Sequence, residues 1–391
     1  MGHYIRKFRD SVRKGDSVLL FLCVLTTAFG ILIISSATNA SGNSRYVIVQ
    51  AAAALLGIFA YSLVSTIDAE FFSEHRNKLV IFNVLLLLML IPFGVDYNSG
   101  NKSWVSLPGM PVDIQPAEIC KITFILIMAS VMASNQNRIS SVRSILQMGF
   151  HFGLLAGLNM VLSGDLGVTL IFVFIFIAMT FTGGVSYLWF IAAGGTIAVA
   201  APVIWNYLLD SYQKIRIQIL FDPSVDALGT GARYHIVRSL KSLTGGGFTG
   251  QGLFQGNRTQ TYGALPAQHT DFIFSAIGEE LGYLGCAIVI LLLIAIIARC
   301  IWVGTRSQDY MRRMICFGAA AALIFQVSIN IGMCIGIAPV IGLTLPFVSY
   351  GGSSIVTLYA MLGLVSGVYA RPAPTSQERY VRPPYLQRVR R

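Results

Sequence analysis

Two stretches of this chain contain no Asp, Glu, Lys or Arg at all: 44 residues between Asp165 and Asp210, and 57 residues between Arg313 and Arg371. A bilayer-spanning helix needs roughly 20 apolar residues, so each stretch is long enough for two. Shorter uncharged intervals separate Asp16 from Arg45, Arg45 from Asp68 and Arg143 from Asp165. A soluble domain carries about 25% charged residues, whereas this chain has 12%, with 55% apolar. There are too few polar side chains to coat a water-soluble globule of 391 residues. The chain therefore reads as an all-α polytopic membrane protein. Disorder, coiled coil, collagen and a small disulfide scaffold are excluded.

Breaking the sequence at Gly, Pro and polar clusters places ten transmembrane helices near 17–37, 46–66, 79–95, 117–133, 145–163, 166–182, 186–207, 272–299, 313–336 and 345–370. An even count puts both termini on one side. Nineteen Lys and Arg fall on the N-terminal side of the membrane, against Arg45 and Lys102 in the short loops of the other face, so both termini are expected in the cytoplasm. The organisation that follows is a basic N-terminus (1–16), a ten-helix domain (17–370) and a Pro/Arg-rich cytoplasmic tail (371–391). A long outer loop, 208–271, joins helices 7 and 8. The first apolar run is long enough to span and lacks a small-residue cleavage site, so it is read as an uncleaved helix. The six cysteines all lie within or at the ends of apolar stretches and read as buried hydrophobes.

Ionisable groups at membrane depth cost about 2.5–3.5 kcal/mol each on insertion scales, so each one invites a reason. Glu118 and Lys121 are three apart at the start of the fourth helix, on one face. They read equally as a structural ion pair or as a polar wall of a substrate cavity, with Pro116 in the first turn. Asp165, between Gly164 and Gly167, reads as a helix cap or as a cavity carboxylate. Asp271 stands where the long loop meets the eighth helix, behind His269 and Thr270. Thr270 is the expected N-cap, which leaves Asp271 in the first turn. Helix-terminal placement would depress its pKa and burial would raise it, and the sequence leaves that contest open. Of Glu279 and Glu280, one is expected to be a buried, hydrogen-bonded group.

The long loop is basic and Gly-rich, with Lys214, Arg216, Arg233, Arg238, Lys241, Arg258 and Gly245 to Gly247. Arg forks and exposed backbone N–H groups suit a pyrophosphate-bearing ligand, although a solvated charged loop explains them as well. No P-loop, no GxGxxG after a strand and no HExxH is present. No nucleotide, organic cofactor or nucleic-acid partner is therefore expected.

The strings KSWVSLPG (102–109), IQPAEICK (114–121), SGDLG (163–167), LPAQHTDFIF (265–274), EELG (279–282) and LPFVSYGGSS (345–354) resemble, in order and along the whole chain, the SEDS family of bacterial cell-wall proteins. Its members include RodA, FtsW and a sporulation relative; INIGM at 329–333 leans towards RodA, whereas GLTLPFVSYGGSS at 342–354 leans towards the division branch, and the reading adopted is RodA. The resemblance implies a ten-helix peptidoglycan glycosyltransferase of the bacterial cytoplasmic membrane. Such an enzyme polymerises lipid II on the outer face, by inversion and with release of undecaprenyl pyrophosphate, for elongation and cell shape. A class B penicillin-binding protein is the implied partner. The family's essential aspartate falls on Asp271, its outer-motif Trp on Trp104 and its membrane Glu and Lys on Glu118 and Lys121. Substrate contacts are expected from these, Asp165, Arg216, Arg233, Arg238, His269 and Thr270. A divalent cation (Mg or Mn) positioned by Asp271 is a further expectation. Ala267 and Asp113 depart from the family's commoner Glu and Arg, and Arg238 from its commoner Gln. A lipid II flippase and a non-catalytic scaffold of the cell-wall machinery are the competing readings.

Overall fold

Long apolar runs that must satisfy their own backbone hydrogen bonds in lipid have helices as their natural solution, and each of the ten expected runs is helical. The structure, a computed structural model, describes residues 14–40, 42–96, 101–106, 113–208, 211–226, 229–231 and 233–371. Most of the basic N-terminus (1–13) and of the tail (372–391) lies outside the described residues. The helices are α1 (Ser17–Asn39), α2 (Arg45–Val64), α3 (Arg76–Leu88), α4 (Pro116–Ser134), α5 (Val142–Ser163), α6 (Leu166–Thr182) and α7 (Tyr187–Val203). After α8 (Ser211–Phe221) and α9 (Tyr234–Gly245) come α10 (Ile273–Arg306), α11 (Tyr310–Cys334) and α12 (Gly352–Ala370). Among the described residues nine helices are long and apolar enough to cross a membrane, with α3 counted through its continuation to Phe93 and α7 through the π turn to Tyr207. The remaining expected span, α6, has 17 residues, about 26 Å of rise against a hydrocarbon core of about 30 Å.

Helix α4 is the centre of the bundle. Cys120, Phe124, Ile127, Met128 and Val131 on it are fully buried, with α3, α5 and α11 packed around them. Helices α2 and α12 approach closely through small residues, as packing in lipid requires. A Cβ on Gly363 would sit 2.7 Å from the Tyr61 carbonyl oxygen, and one on Gly367 3.0 Å from that of Ser65. Helix α7 has no buried residue. All six cysteines are buried and free.

The loops assigned to opposite faces gather at opposite ends. At one end Asp16 pairs with Arg299 (2.8 Å) and Arg312 with Asp68 (3.1 Å). At the other, residues 101–106, Asp165, the 208–271 segment and 336–351 meet. A two-stranded patch there pairs β1 (Gly94–Val95) with β2 (Trp104–Val105).

Three details differ from the sequence reading. First, the 208–271 segment is no plain loop, since it contains α8 and α9. Ile236, Ser239 and Ser242, spaced three apart, form the buried face of α9 against α10, and Ser239 Oγ lies 2.5 Å from Ser275 Oγ. Second, the last helix starts at Gly352, seven residues later than expected. Residues 345–351 are irregular, with the Leu345 N–H donating to Ser349 Oγ (2.8 Å) and Gln50 accepting from the Gly351 N–H (3.1 Å) and donating to the Ser349 carbonyl (3.1 Å). Third, α10 breaks at Gly282, whose φ of 63° and ψ of −161° suit glycine alone.

The break is filled by the segment 246–252. Gln251 and Gly252 N–H donate to the Glu279 and Glu280 carbonyls (3.0 Å each), and Tyr283 and Leu284 N–H donate to the Gly247 and Phe248 carbonyls (3.0 and 3.2 Å). Both acidic side chains serve the same hook. Glu280, 1% exposed, accepts from Ser36 Oγ (2.5 Å), Thr259 Oγ1 (2.7 Å) and Gln260 Nε2 (3.0 Å). Glu279 accepts from the Arg258 N–H (2.5 Å). A Cβ on Gly282 would stand 2.6 Å from the Phe248 carbonyl. Gly282→Ala is therefore expected to cost about 3 kcal/mol or more through strain and clash together. Gly184, at φ 88° with open space around it, is the control: its Ala variant carries only strain, about 1 kcal/mol. Thermal melts of the two purified variants compare them directly, and equal melting temperatures would contradict the argument.

Candidate active site

The turn that delivers Asp271 is built by its own backbone. Ala267 takes φ 49°, which lets its carbonyl accept from both Thr270 and Phe272 N–H (3.1 Å each). Helix α10 begins only at Ile273, so Asp271 precedes the helix by two residues. Thr270 is not the N-cap: its hydroxyl donates to the Ala267 carbonyl (3.3 Å). Phe272, buried, stacks on His235 of α9 (5.6 Å between centroids, 11°). The Asp271 carbonyl accepts from Asn330 Nδ2 (2.8 Å), which also donates to the Leu343 carbonyl (2.6 Å). The strip 345–351 runs alongside, with the Tyr350 N–H donating to the His269 carbonyl (2.8 Å) and Ser349 Oγ donating to that of Thr270 (2.6 Å).

The backbone of Asp271 is thus held on several sides while its carboxylate accepts no hydrogen bond among the described residues. A Cβ on Gly342 would lie 3.6 Å from its Oδ2, and one on Gly167 would lie 3.3 Å from Asp165 Oδ1 and 2.6 Å from the Ile341 carbonyl. The turn Ile341–Leu343 therefore sits between the two carboxylates. Asp165 is engaged: it caps α6 by accepting from the Val168 N–H (3.0 Å) and accepts from Ser103 Oγ (3.3 Å). Of its two readings, cap and cavity carboxylate, the cap is the one these bonds describe.

Burial pushes Asp271 up to about 6, and the charge of Asp165 adds to the rise. Burial, rather than helix-terminal stabilisation, wins that contest because the helix starts too late for its N–H groups to reach the carboxylate. Asp165 is also raised, chiefly by burial, against hydrogen bonds from Val168 and Ser103 and with a contribution from Glu118. The charge of Glu118 thus bears on Asp165, and that of Asp165 on Asp271.

Lys121 donates to Glu118 Oε1 (2.8 Å), and both are about 5% exposed. Glu118 Oε2 accepts from Ser354 (3.4 Å) and Thr357 (3.2 Å) of α12. The ion pair is therefore structural in its bonding, and also neighbours the site through Asp165. Arg216 reaches the same region, donating to the Val340 carbonyl (2.9 Å). Arg238 is committed to folding the loop, donating to the Ala264 carbonyl (2.7 Å) and stacking on Tyr234 (4.4 Å). Arg233 likewise donates to the Asp226 carbonyl through Nη1 (3.3 Å). Trp104, partly exposed in β2, adjoins Ser103, the partner of Asp165.

Gln50, Asn330 and Ser349, which fix the Asp271 turn, were not singled out from the sequence. Gln50 and Asn330 had a signal, Gln50 as the lone amide of α2 and Asn330 as one of two, with Gln326, in the apolar α11; Ser349 had none beyond its motif. For the expected cation, the described residues do not supply a ligand set. No three His, Cys, Asp or Glu side chains among them could hold a metal, and both oxygens of Asp165 already have donors. No step below is routed through a metal.

Comparison with known proteins agrees with this geometry. The family model described as cell cycle protein (FtsW, RodA, SpoVE) matches residues 16–372. The peptidoglycan glycosyltransferase MrdB of Escherichia coli K12 is 32% identical over 93% of this chain and 95% of its own. A probable peptidoglycan glycosyltransferase FtsW from Trichlorobacter lovleyi is 31% identical over 91% and 93%. Among solved structures, a chain of a peptidoglycan synthase complex that coordinates polymerisation and crosslinking superposes with TM-score 0.77, at 27% identity, covering 94% of this chain and 99% of that one. Thermus thermophilus RodA superposes with TM-score 0.66, at 25% identity over 92% and 98%. A match that runs through every helix of the bundle and reaches both ends of the site makes the chain a member of the FtsW/RodA/SpoVE family.

Proposed function

We propose that Asp271 is the general base of this multi-pass membrane peptidoglycan glycosyltransferase, acting on lipid II at the outer face of the bacterial cytoplasmic membrane. The observation that supports this most is that Asp271 is a partly buried carboxylate with no hydrogen-bond donor among the described residues, raised to about 6. A base works best with a pKa near the operating pH and an unoccupied lone pair.

In the reaction a sugar 4-hydroxyl attacks the anomeric carbon of the growing, lipid-linked chain. Its proton passes to Asp271 as the new C–O bond forms. The bond to pyrophosphate breaks, and undecaprenyl pyrophosphate leaves with the electron pair. One displacement converts an α-linked donor into a β-linked product. Lys121, paired with Glu118, and Arg216, at the Val340 carbonyl, are the cations proposed to favour the leaving group where its charge develops. Arg233 and Arg238 shape the loop that presents Arg216. A class B penicillin-binding protein is the proposed partner, supported by the resemblance to a chain of a peptidoglycan synthase complex. The RodA-like branch, serving elongation, is the proposed setting.

The pH profile tests the assignment. A base must be deprotonated, so kcat/KM rises with pH through about 6 and levels off above it. Asp165 raises Asp271, so Asp165→Asn, which retains a capping side chain, moves that acidic limb to lower pH. A limb that stays in place in the variant would count against the pairing of the two carboxylates.

A further inference from the structure

Three aromatic rings meet beside Asp271, each from a different part of the chain. Tyr46 comes from the first turn of α2, His269 from the Asp271 turn and Tyr350 from the strip before α12. Tyr46 lies 4.6 Å from His269 at 45° and 5.0 Å from Tyr350 at 88°, and His269 lies 5.8 Å from Tyr350 at 55°. None of the three is fully buried. A hydrophobic core would have closed over such a cluster, and an interfacial aromatic belt would turn its rings outward to lipid one by one. Here the rings turn to one another around a polar imidazole, two residues from the carboxylate.

The cluster is rigidly held. Gln50, one turn on from Tyr46, bonds the backbone at both Ser349 and Gly351, so α2 and the Tyr350 strip move as one. Ser349 and Tyr350 in turn bond the carbonyls of Thr270 and His269. Two non-glycine residues with positive φ lie just upstream of the rings, Ala267 (49°) before His269 and Phe347 (65°) before Tyr350. Strain of this kind persists where surrounding contacts over-determine it, and it concentrates at ligand clamps.

Flat apolar faces with polar edges match a pyranose ring, which offers C–H groups on its faces and hydroxyls around its rim. Arg45, exposed at the head of α2, adds a cation at the margin. We propose that Tyr46, His269 and Tyr350 form a saccharide-stacking subsite that takes a hexosamine ring of the glycan next to the reacting centre. This rests on the assignment of Asp271 only for its place in the reaction.

The test uses the full chain with its partner transpeptidase, comparing wild type, Tyr46→Leu and Tyr46→Phe. Loss of one stacking ring, about 0.5–1.5 kcal/mol, corresponds to a two- to tenfold change. Tyr46→Leu is expected to raise KM for lipid II by that factor and shorten the glycan strands, while Tyr46→Phe stays close to wild type. Unchanged KM and strand length in the Leu variant overturn the proposal. So does a Phe variant as impaired as Leu, or a fall in kcat alone, which would mean that the rings merely brace the Asp271 turn. A binding readout stands apart from catalysis: saturation-transfer NMR of a GlcNAc–MurNAc tetrasaccharide with Asp271→Asn protein should show contact that Tyr46→Leu removes. Its persistence in the double variant overturns the subsite whatever the fate of the base.

Discussion

Asp271→Asn is expected to reduce polymerisation of lipid II by about a hundredfold to ten-thousandfold, the usual contribution of a general base, while leaving the protein folded. The second half of that expectation comes from the bonding. The contacts that fix the turn run through the backbone carbonyls of His269, Thr270 and Asp271, and among the described residues the carboxylate itself accepts nothing. An amide of the same shape therefore disturbs no partner, and removing a half-buried charge relieves a burial cost. The measurement is strand formation by the purified protein with its penicillin-binding partner, alongside a thermal melt. Wild-type polymerisation by the Asn variant would falsify the role given to Asp271, whereas inactivity with a collapsed melting curve would show the residue to be structural.

Glu118→Leu and Lys121→Met are each expected to destabilise the protein by about 3–5 kcal/mol, because either change strands a buried charge without its counter-ion. The double variant is expected to recover most of that loss, since two apolar side chains replace two mutually dependent ions. The pair lies at the start of α4, the most enclosed helix of the bundle, and Glu118 also ties it to Ser354 and Thr357. Glu118→Leu should therefore remain somewhat worse than Lys121→Met, as it also takes the acceptor from the Ser354 hydroxyl, whereas Thr357 keeps the backbone carbonyls of Ser353 and Ser354. Chemical or thermal unfolding of all four forms completes the cycle. If the double variant is stable but polymerises poorly, Lys121 contributes to substrate handling as well as to the fold; if it is fully active, the pair is structural alone.

What could be seen in the sequence followed from cost. An ion in an apolar run is expensive, so Glu118, Lys121, Asp165 and Asp271 stood out, and the structure brings these four to one end of the bundle. The helices were legible for the same reason, since nothing but a helix satisfies 20 apolar residues in lipid. The loop arginines were harder to read. Arg216, Arg233 and Arg238 look alike in a basic segment, yet Arg216 reaches the Val340 strip, whereas Arg238 and Arg233 bond carbonyls of their own loop. The Asp271 turn depends on partners such as Gln50 and Ser349, separated by 299 positions, and no local pattern announces such a pairing. The expected N-cap at Thr270 failed because Ala267, at positive φ, claims two N–H groups first.

The break at Gly282 has a mechanical meaning for the residue it lies nearest. A transmembrane rod changes its tilt when bilayer thickness changes or when a neighbouring helix presses on it. Had α10 been continuous from Ile273 to Arg306, any such tilt would have swung Asp271 at its tip. Instead the stub Ile273–Leu281 is anchored through Glu279 and Glu280 to the segment 246–260 and to α1, and the same segment bonds Tyr283 and Leu284 on the far side of the break. One segment thus clamps both sides of the break, so the stub that carries Asp271, the outer loop and the head of the membrane-crossing rod share one geometry when the rod leans.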